Sequence, residues 1–270
     1  MAYIAGVDLG AGATKTVIID ERRRILGRGI ARTQADFNAV SKASLAAACN
    51  ECGIERDRID YIAATGLGRY SLSGRDIQIT DLTCGARGAH ALFPEAGFVL
   101  DMGAQCTRAI ALRDGGKVKS FRTNEKCAAG SGGFLERVAR YLEVPLNELG
   151  KISLQATDPQ PISSVCAVLA ESEIINHVSE GKTVADIVRG AHESLAGRAL
   201  SQLKLIGFVE GVVFIGGVAV QEGMVEACRA LLGRNVYLPE YPTHVVAYGA
   251  AILGLQRYEK LLTLSGTSAS

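Results

Sequence analysis

Neither sign of charge prevails in this sequence. Lys and Arg together number 29 and Asp and Glu 28 in 270 residues. That balance removes the electrostatic case for nucleic acid or an anionic membrane as a partner. Long apolar runs are also missing. None approaches the roughly 18 residues that a spanning helix needs. The opening stretch, Met1 to Gly10, has no basic start and no extended apolar core, so no signal peptide is expected and the chain reads as cytoplasmic. Seven cysteines is an odd count, which makes a disulfide framework a poor expectation for such a protein. Finally, no Gly-Lys-Ser/Thr completes a P-loop, although the run Gly130-Ser131-Gly132-Gly133 invites that reading.

What is present suits a folded α/β protein. The chain is 48% hydrophobic and 21% charged, an ordinary balance for such a class. Its length fits one large domain or two medium ones. Two segments share one plan: "YIAGVDLGAGATKTVIIDERRRILGRG" and "GFVLDMGAQCTRAIALRDGGKVKSFRT", with Asp101 falling 93 positions after Asp8. Each reads as a β-hairpin with a tight turn of small residues, followed by a third strand. The repeat points to a duplicated domain: residues 1–93 with a closing helix at 245–262 as one half, residues 94–244 as the other.

Helical patterns follow each hairpin set. Val40 to Cys52 is one, the small-residue run "TCGARGAHALF" another. Phe134 to Val144 is amphipathic, with Leu135, Val138 and Leu142 on one face. Ala167 to Glu180 stops at Gly181, and "TVADIVRGAHESLAGRALSQLKLIG" reads as a longer helix. "VEGVVFIGGVAV" is a buried strand entering a Gly-Gly turn, with helices "GMVEACRALLG" and "VVAYGAAILGLQRYEKLL" after it. Alternating strands and helices predict α/β layers.

Asp8-Leu9-Gly10 and Asp101-Met102-Gly103 close the first strand of each copy. A glycine-rich turn lets backbone N–H groups approach a phosphate, because no Cβ intervenes. A carboxylate at the strand end can hold magnesium through water. Either motif alone reads as a plain Asp/Gly turn. The duplication and the downstream glycines favour a pair of phosphate turns. Lys15 and Arg108 follow them, and either add positive charge or point to solvent. Gly216-Gly217 would let a base or ribose lie against backbone at a helix start; in isolation it is a strand-to-helix turn.

The order of two phosphate hairpins, the "CGARGAHALF" helix, the Gly-Gly turn and the "AYGAAILG" helix resembles the actin, Hsp70 and hexokinase superfamily. That implies an α/β, duplicated actin-like ATPase (ribonuclease H-like) fold, two domains around a nucleotide cleft. Within it, "NEKCAAGSGGFLE", "SSVCAVLAESEIINHVSEG" and "GGVAVQEG" resemble the activator ATPases of 2-hydroxyacyl-CoA dehydratases and the ATPase subunits of benzoyl-CoA reductase, over roughly residues 3 to 260. The resemblance implies a [4Fe-4S] cluster shared between two subunits, each giving two cysteines, here Cys127 and Cys166. It also implies ATP or ADP with Mg2+. Asp8 and Asp101 would hold the metal through water. Backbone from Gly10, Ala11, Gly12, Ala13 and Thr14, with Lys15, and from Gly103 and Ala104 would cradle phosphates. Gln105 would orient the attacking water, and Gly216, Gly217, Val218 and Gln221 would line the adenosine.

Implied partners are a second copy or a related ATPase subunit, an acyl-CoA dehydratase or reductase component, and ferredoxin or flavodoxin as electron donor. Both cysteines precede a predicted helix, whose N-terminus carries partial positive charge and free N–H donors suited to thiolates. Cys49 and Cys52, on a predicted helix, read as structural; Cys84, Cys106 and Cys228 have no assigned role. One departure stands out. Dehydratase activators usually read Asp-Ile-Gly-Gly-Gln-Asp in the second turn, where this chain has Asp101-Met102-Gly103-Ala104-Gln105-Cys106. The second acid is absent; the Gly-Ala of this turn, Arg108-Ala109-Ile110 after it and "ATDPQPISSVCAVLAE" lean toward the reductase-type subunit, so ATP binding is expected of this chain more than hydrolysis on its own. Alternatives on the same fold are a sugar or small-molecule kinase, which needs a catalytic carboxylate over a hydroxyl, and a non-enzymatic redox sensor.

Overall fold

A computed structural model describes residues 1–124, 130–163, 167–233 and 235–267. The chain divides into two compact units. One comprises Met1–Pro94, Arg113–Val118 and Thr243–Ser270; the other comprises Glu95–Leu112 and Lys119–Pro242.

In the first unit, β1 (Ile4–Leu9), β2 (Ala13–Ile19) and β3 (Ile25–Arg32) form an antiparallel meander, and β4 (Tyr61–Gly66) adds to β1 in parallel. With β5 (Ile77–Gln78) the sheet order is β3-β2-β1-β4-β5. Helix α1 (Phe37–Cys52) covers one face, and α2 (Asp81–Leu92) packs on the C-terminal α8 (Val245–Thr267) over the other. Both faces being covered explains why every residue of β1 is buried. Ala5, Val7 and Leu9 join Leu45 and Ala48 of α1, whereas Ile4 joins Ala247, Ala251 and Leu255 of α8. Full burial of Ile4, Leu9, Ile18 and Ile19 contributes about 1.5–3 kcal/mol each. The small-residue pattern of α2 and α8 has a direct cause. A Cβ on Gly249 would lie 1.8 Å from the Cys84 carbonyl oxygen, so the two helices approach at backbone distance.

Helix α1 begins three residues before the apolar pattern does. The Asp36 carboxylate caps it, accepting from the Asn38 and Ala39 N–H groups at 2.9 and 3.0 Å, a local bond that amphipathic spacing does not reveal.

The second unit repeats the strand plan. Strands β6 (Phe98–Met102), β7 (Thr107–Arg113) and β8 (Lys117–Thr123) are followed by β9 (Val212–Ile215), parallel to β6, and β10 (Val236–Tyr237), in the order β10-β9-β6-β7-β8. Taken from its other end, that order matches the first sheet strand for strand. Five helices build its core: α3 (Gly132–Tyr141), α4 (Leu149–Ser153), α5 (Ala167–Ser179), α6 (Val184–Lys204) and α7 (Glu222–Leu232). Leu135 and Val138 of α3 are fully buried, and Leu142 packs against the same core. Helix α3 ends before Val144 because Glu143 turns left-handed at φ 55° just ahead of Pro145.

Candidate functional site

Strand register explains the first turn. Asp8 on β1 lies opposite Lys15 on β2. The Lys15 ammonium donates to Asp8 Oδ2 at 2.8 Å and to the Ala13 carbonyl at 3.1 Å. The pair is largely buried, with side chains 14% and 8% exposed. Between them Gly10, Ala11 and Gly12 form the turn. Thr33, just after β3, secures it: its hydroxyl donates to the Gly10 carbonyl at 2.7 Å and its N–H to the Gly12 carbonyl at 3.1 Å. Since that hydroxyl has spent its proton, the Thr14 hydroxyl 3.1 Å away donates to it. The side chain of Thr14 is thus inside the fold, leaving the turn backbone for a ligand.

The second turn repeats the pairing. Asp101 lies opposite Arg108, whose Nη1 donates to Asp101 Oδ2 at 3.2 Å. Neither basic residue is simply a solvent group. Gly103 N–H closes the turn on the Cys106 carbonyl at 2.9 Å, and Gln105 is exposed at its tip. The carbonyls of Gly103 and Ala104 accept from the Gly132 and Gly133 N–H groups at 2.9 and 2.7 Å. The turn is therefore bonded to the first residues of α3. Thr107, which opens β7, holds two further points: its carbonyl accepts from Asn124 N–H at 2.9 Å, and its hydroxyl donates to the Gly130 carbonyl at 2.6 Å.

The duplication extends to a glycine beside each carboxylate. Gly66 ends β4 next to Leu9, and Gly216 follows β9 next to Met102. Both have positive φ, 86° and 96°. A Cβ on Gly66 would sit 2.5 Å from Asp8 Oδ1, and one on Gly216 would sit 2.8 Å from Asp101 Oδ1. Gly216 is thus the counterpart of Gly66, and its place beside Asp101 is an additional role to the adenosine contact expected of it. Gly217 opens a short 3-10 turn, Gly217–Val220, and the Val218 side chain is buried in the core of this unit.

Gln221 points elsewhere than expected. Its amide oxygen faces His192 Nε2 at 3.0 Å and its amide nitrogen donates to the Leu146 carbonyl at 3.4 Å. His192 Nδ1 meets the Ser153 hydroxyl at 2.9 Å. The ring is fully buried, and burial pushes its pKa down to about 4. An unfolded histidine protonates near its ordinary value, so below that point the unfolded state binds the extra proton. Stability is expected to fall as pH drops from 6.5 towards 4, by up to about 3 kcal/mol from this residue. Urea midpoints at pH 7.5 and 5.0, for the protein and for His192→Gln, measure it; the variant should show the smaller loss.

The expected cluster ligands, Cys127 and Cys166, lie outside the described residues. Among the described residues no group of three or more His, Cys, Asp or Glu side chains could hold a metal ion. Cys84 and Cys228 have thiols pushed up to about 12 by burial, and burial raises Cys49 as well; in the absence of a metal such thiols stay protonated. The helices that follow Cys127 and Cys166, α3 and α5, are joined to each other. Glu171 of α5 accepts from Arg137 Nη1 at 2.8 Å and from the Tyr141 hydroxyl at 3.0 Å, both on α3. The Arg137 hydrogen bond holds the Glu171 carboxyl below the usual carboxylate range. Thr107, Gly66 and this Arg137–Glu171–Tyr141 tie were not singled out from sequence. Only Gly66, the Gly ending an apolar strand, left a visible signal.

Two matched β-sheet units, each with a carboxylate and cation flanking a glycine turn, define an ATPase of the actin-like fold. The sequence pattern of the BadF/BadG/BcrA/BcrD ATPase family matches residues 5–254, and the chain belongs to that family. It is 38% identical over 258 residues to the activator of lactoyl-CoA dehydratase from Anaerotignum propionicum, covering 96% of this chain and 99% of that one. It is 39% identical over 280 residues to a benzoyl-CoA reductase subunit from Thauera aromatica, covering 98% and 97%. The solved activator of the 2-hydroxyisocaproyl-CoA dehydratase from Clostridium difficile, with bound ADPNP, superposes with a TM-score of 0.92 at 35% identity, covering 97% of both chains. A ROK family glucokinase from Streptomyces griseus, at 15% identity and a TM-score of 0.58, shares the fold alone.

Proposed function

We propose that this chain is an ATP-driven electron-transfer ATPase that delivers low-potential electrons to an acyl-CoA dehydratase or benzoyl-CoA reductase component. A dimer, of two copies or with a related subunit, would hold one [4Fe-4S] cluster through Cys127 and Cys166 of each chain. Reduced ferredoxin or flavodoxin would load it in the cytoplasm. When bound, such a cluster supplies one-electron transfer at low potential.

The chain's own groups have separable tasks in this reading. Each half, residues 1–93 with 245–262 and residues 94–244, carries one phosphate turn. Asp8 and Asp101 would orient Mg2+ through water. Backbone from Gly10 to Thr14 and at Gly103 and Ala104 would cradle phosphates, helped by Lys15. Gln105, exposed at the tip of its turn, would orient an attacking water. Gly216, Gly217, Val218 and the backbone at Gln221 would face the adenosine.

One observation carries the coupling. The turn Gly103–Thr107 is hydrogen-bonded to the start of α3 and to Asn124 and Gly130, which flank the segment holding Cys127. The α3–α5 tie through Glu171 extends the connection to the helix following Cys166. A phosphate that shifts the turn thereby bears on both cysteine-bearing segments. Coupling further requires that nucleotide and acceptor protein favour the same conformer.

Anaerobic purification tests the proposal. A brown protein with about four irons per dimer is expected from four thiolates on one cluster. Cys166→Ser is expected to lose that iron and leave ATP binding intact. Iron content unchanged in the variant would overturn the ligand assignment. A colourless anaerobic protein that phosphorylates a sugar would replace this reading with the kinase alternative.

A further inference from the structure

In the second unit a pocket of about 250 Å³ opens between Thr107, Asn124 and Gly130 on one side and Arg198, Ser201 and Gln202 of α6 on the other. Arg198 is its unusual member. Its Nε and Nη2 atoms are buried and have no hydrogen-bond partner. Elsewhere in this unit Arg137, Arg189 and Arg229 each meet a carboxylate at 2.8 Å. Nε and Nη2 form one edge of the guanidinium, the side-on fork that matches two oxygens of a planar or tetrahedral oxyanion. A buried charged donor without a partner is costly, so that edge calls for an acceptor.

The other lining groups restrict what the acceptor is. Among the described residues no carboxylate lines the pocket. The Thr107 and Ser201 hydroxyls give their protons to the carbonyls of Gly130 and Gly197, leaving both as acceptors. The remaining donors are the Asn124 and Gln202 carboxamides. Among the described lining residues, one fixed positive charge with two neutral N–H donors fits an anion. The volume falls below the roughly 300–1,000 Å³ of drug-sized ligand pockets, so the bound group is small.

We propose that this pocket binds a small oxyanion, a phosphate or carboxylate group, gripped side-on by Arg198. The site is separate from the residues assigned above to nucleotide, and does not depend on the electron-transfer reading. It adjoins Thr107, the residue that holds Asn124 and Gly130 together, so an occupant would bear on the base of that segment.

The test uses the whole protein saturated with Mg2+ and ADPNP, so that the phosphate turns are already filled. Inorganic phosphate and acetate are titrated separately at constant ionic strength by calorimetry. At least one is expected to bind saturably, and the tighter of the two identifies the source as phosphate or carboxylate. Arg198→Gln should weaken that binding about tenfold or more, and Arg198→Lys, which keeps charge but loses the fork, by less. ADPNP affinity should be unchanged in both. Should Arg198→Gln misfold by circular dichroism, Gln202→Leu decides, with a several-fold weakening expected from the loss of one donor. Absence of saturable binding for both anions overturns the proposal. So does equal binding by the protein and a folded Arg198→Gln variant or, where that variant misfolds, by Gln202→Leu.

Discussion

Asp101→Asn is expected to lower MgATP hydrolysis by about 100-fold or more while nucleotide still binds. The side chains are nearly isosteric, and the backbone ladder of β6 with β7 and β9 holds the position in place. What changes is charge. An amide oxygen is a poor counterpart for hydrated Mg2+, and Arg108, 3.2 Å away, loses the anion it faces. That loss costs about 1–3 kcal/mol of stability. Asp8→Asn should behave alike, with Lys15 at 2.8 Å in the role of Arg108. Steady-state phosphate release and ADPNP binding, measured side by side, separate the two effects. If both variants keep hydrolysis within a factor of about three, neither carboxylate serves the metal.

Gly216→Ala is the second large effect, and it falls on the fold as well as the site. Residue 216 has φ 96°, a conformation that costs an L-residue about 1–3 kcal/mol. In addition, its Cβ would lie 2.4 Å from the Met102 carbonyl oxygen and 2.8 Å from Asp101 Oδ1. Both contacts are closer than atoms tolerate, and one of them is backbone. A loss of about 3 kcal/mol or more is therefore expected, read by chemical denaturation. Because the clash reaches the carboxylate, ADPNP affinity should fall in whatever folded protein remains. Gly66→Ala, with its Cβ 2.5 Å from Asp8 Oδ1 and 2.6 Å from the Leu9 carbonyl, should do the same to the other half. Wild-type stability in either variant would contradict the close approach described here.

How much of this was legible in the sequence follows from how local each signal is. The two hairpins and their third strands were legible because alternation and glycine turns act within a few residues. The long helices were legible from their apolar spacing. Strands β5 and β10 were not, since two residues each are too few to show a period. The five-residue α4 and the 3-10 turn after Gly216 escaped for the same reason. At the site, the positions of Asp8 and Asp101 were readable as strand ends. Their pairing with Lys15 and Arg108 was not, because it is a property of cross-strand register. Gly66 meets Asp8 only through a parallel pairing that bridges a helix. The Gln221 side-chain contact with His192 was not legible either, because its partner lies 29 positions earlier on α6. Arg198 carries no motif at all; only burial without a partner marks it.

The two turns differ in one chemical respect that the duplication leaves free to vary. Each backbone grip is held by strand pairing and, in the first turn, by Thr33, so the cation opposite each carboxylate can change without undoing the hairpin. The first half uses an ammonium, a compact charge on a flexible stem that can follow a moving oxygen. The second uses a guanidinium, a flat plate whose bonds have fixed directions. The first half's carboxylate thereby keeps its partner through small shifts of the turn, while the second's is held to one direction.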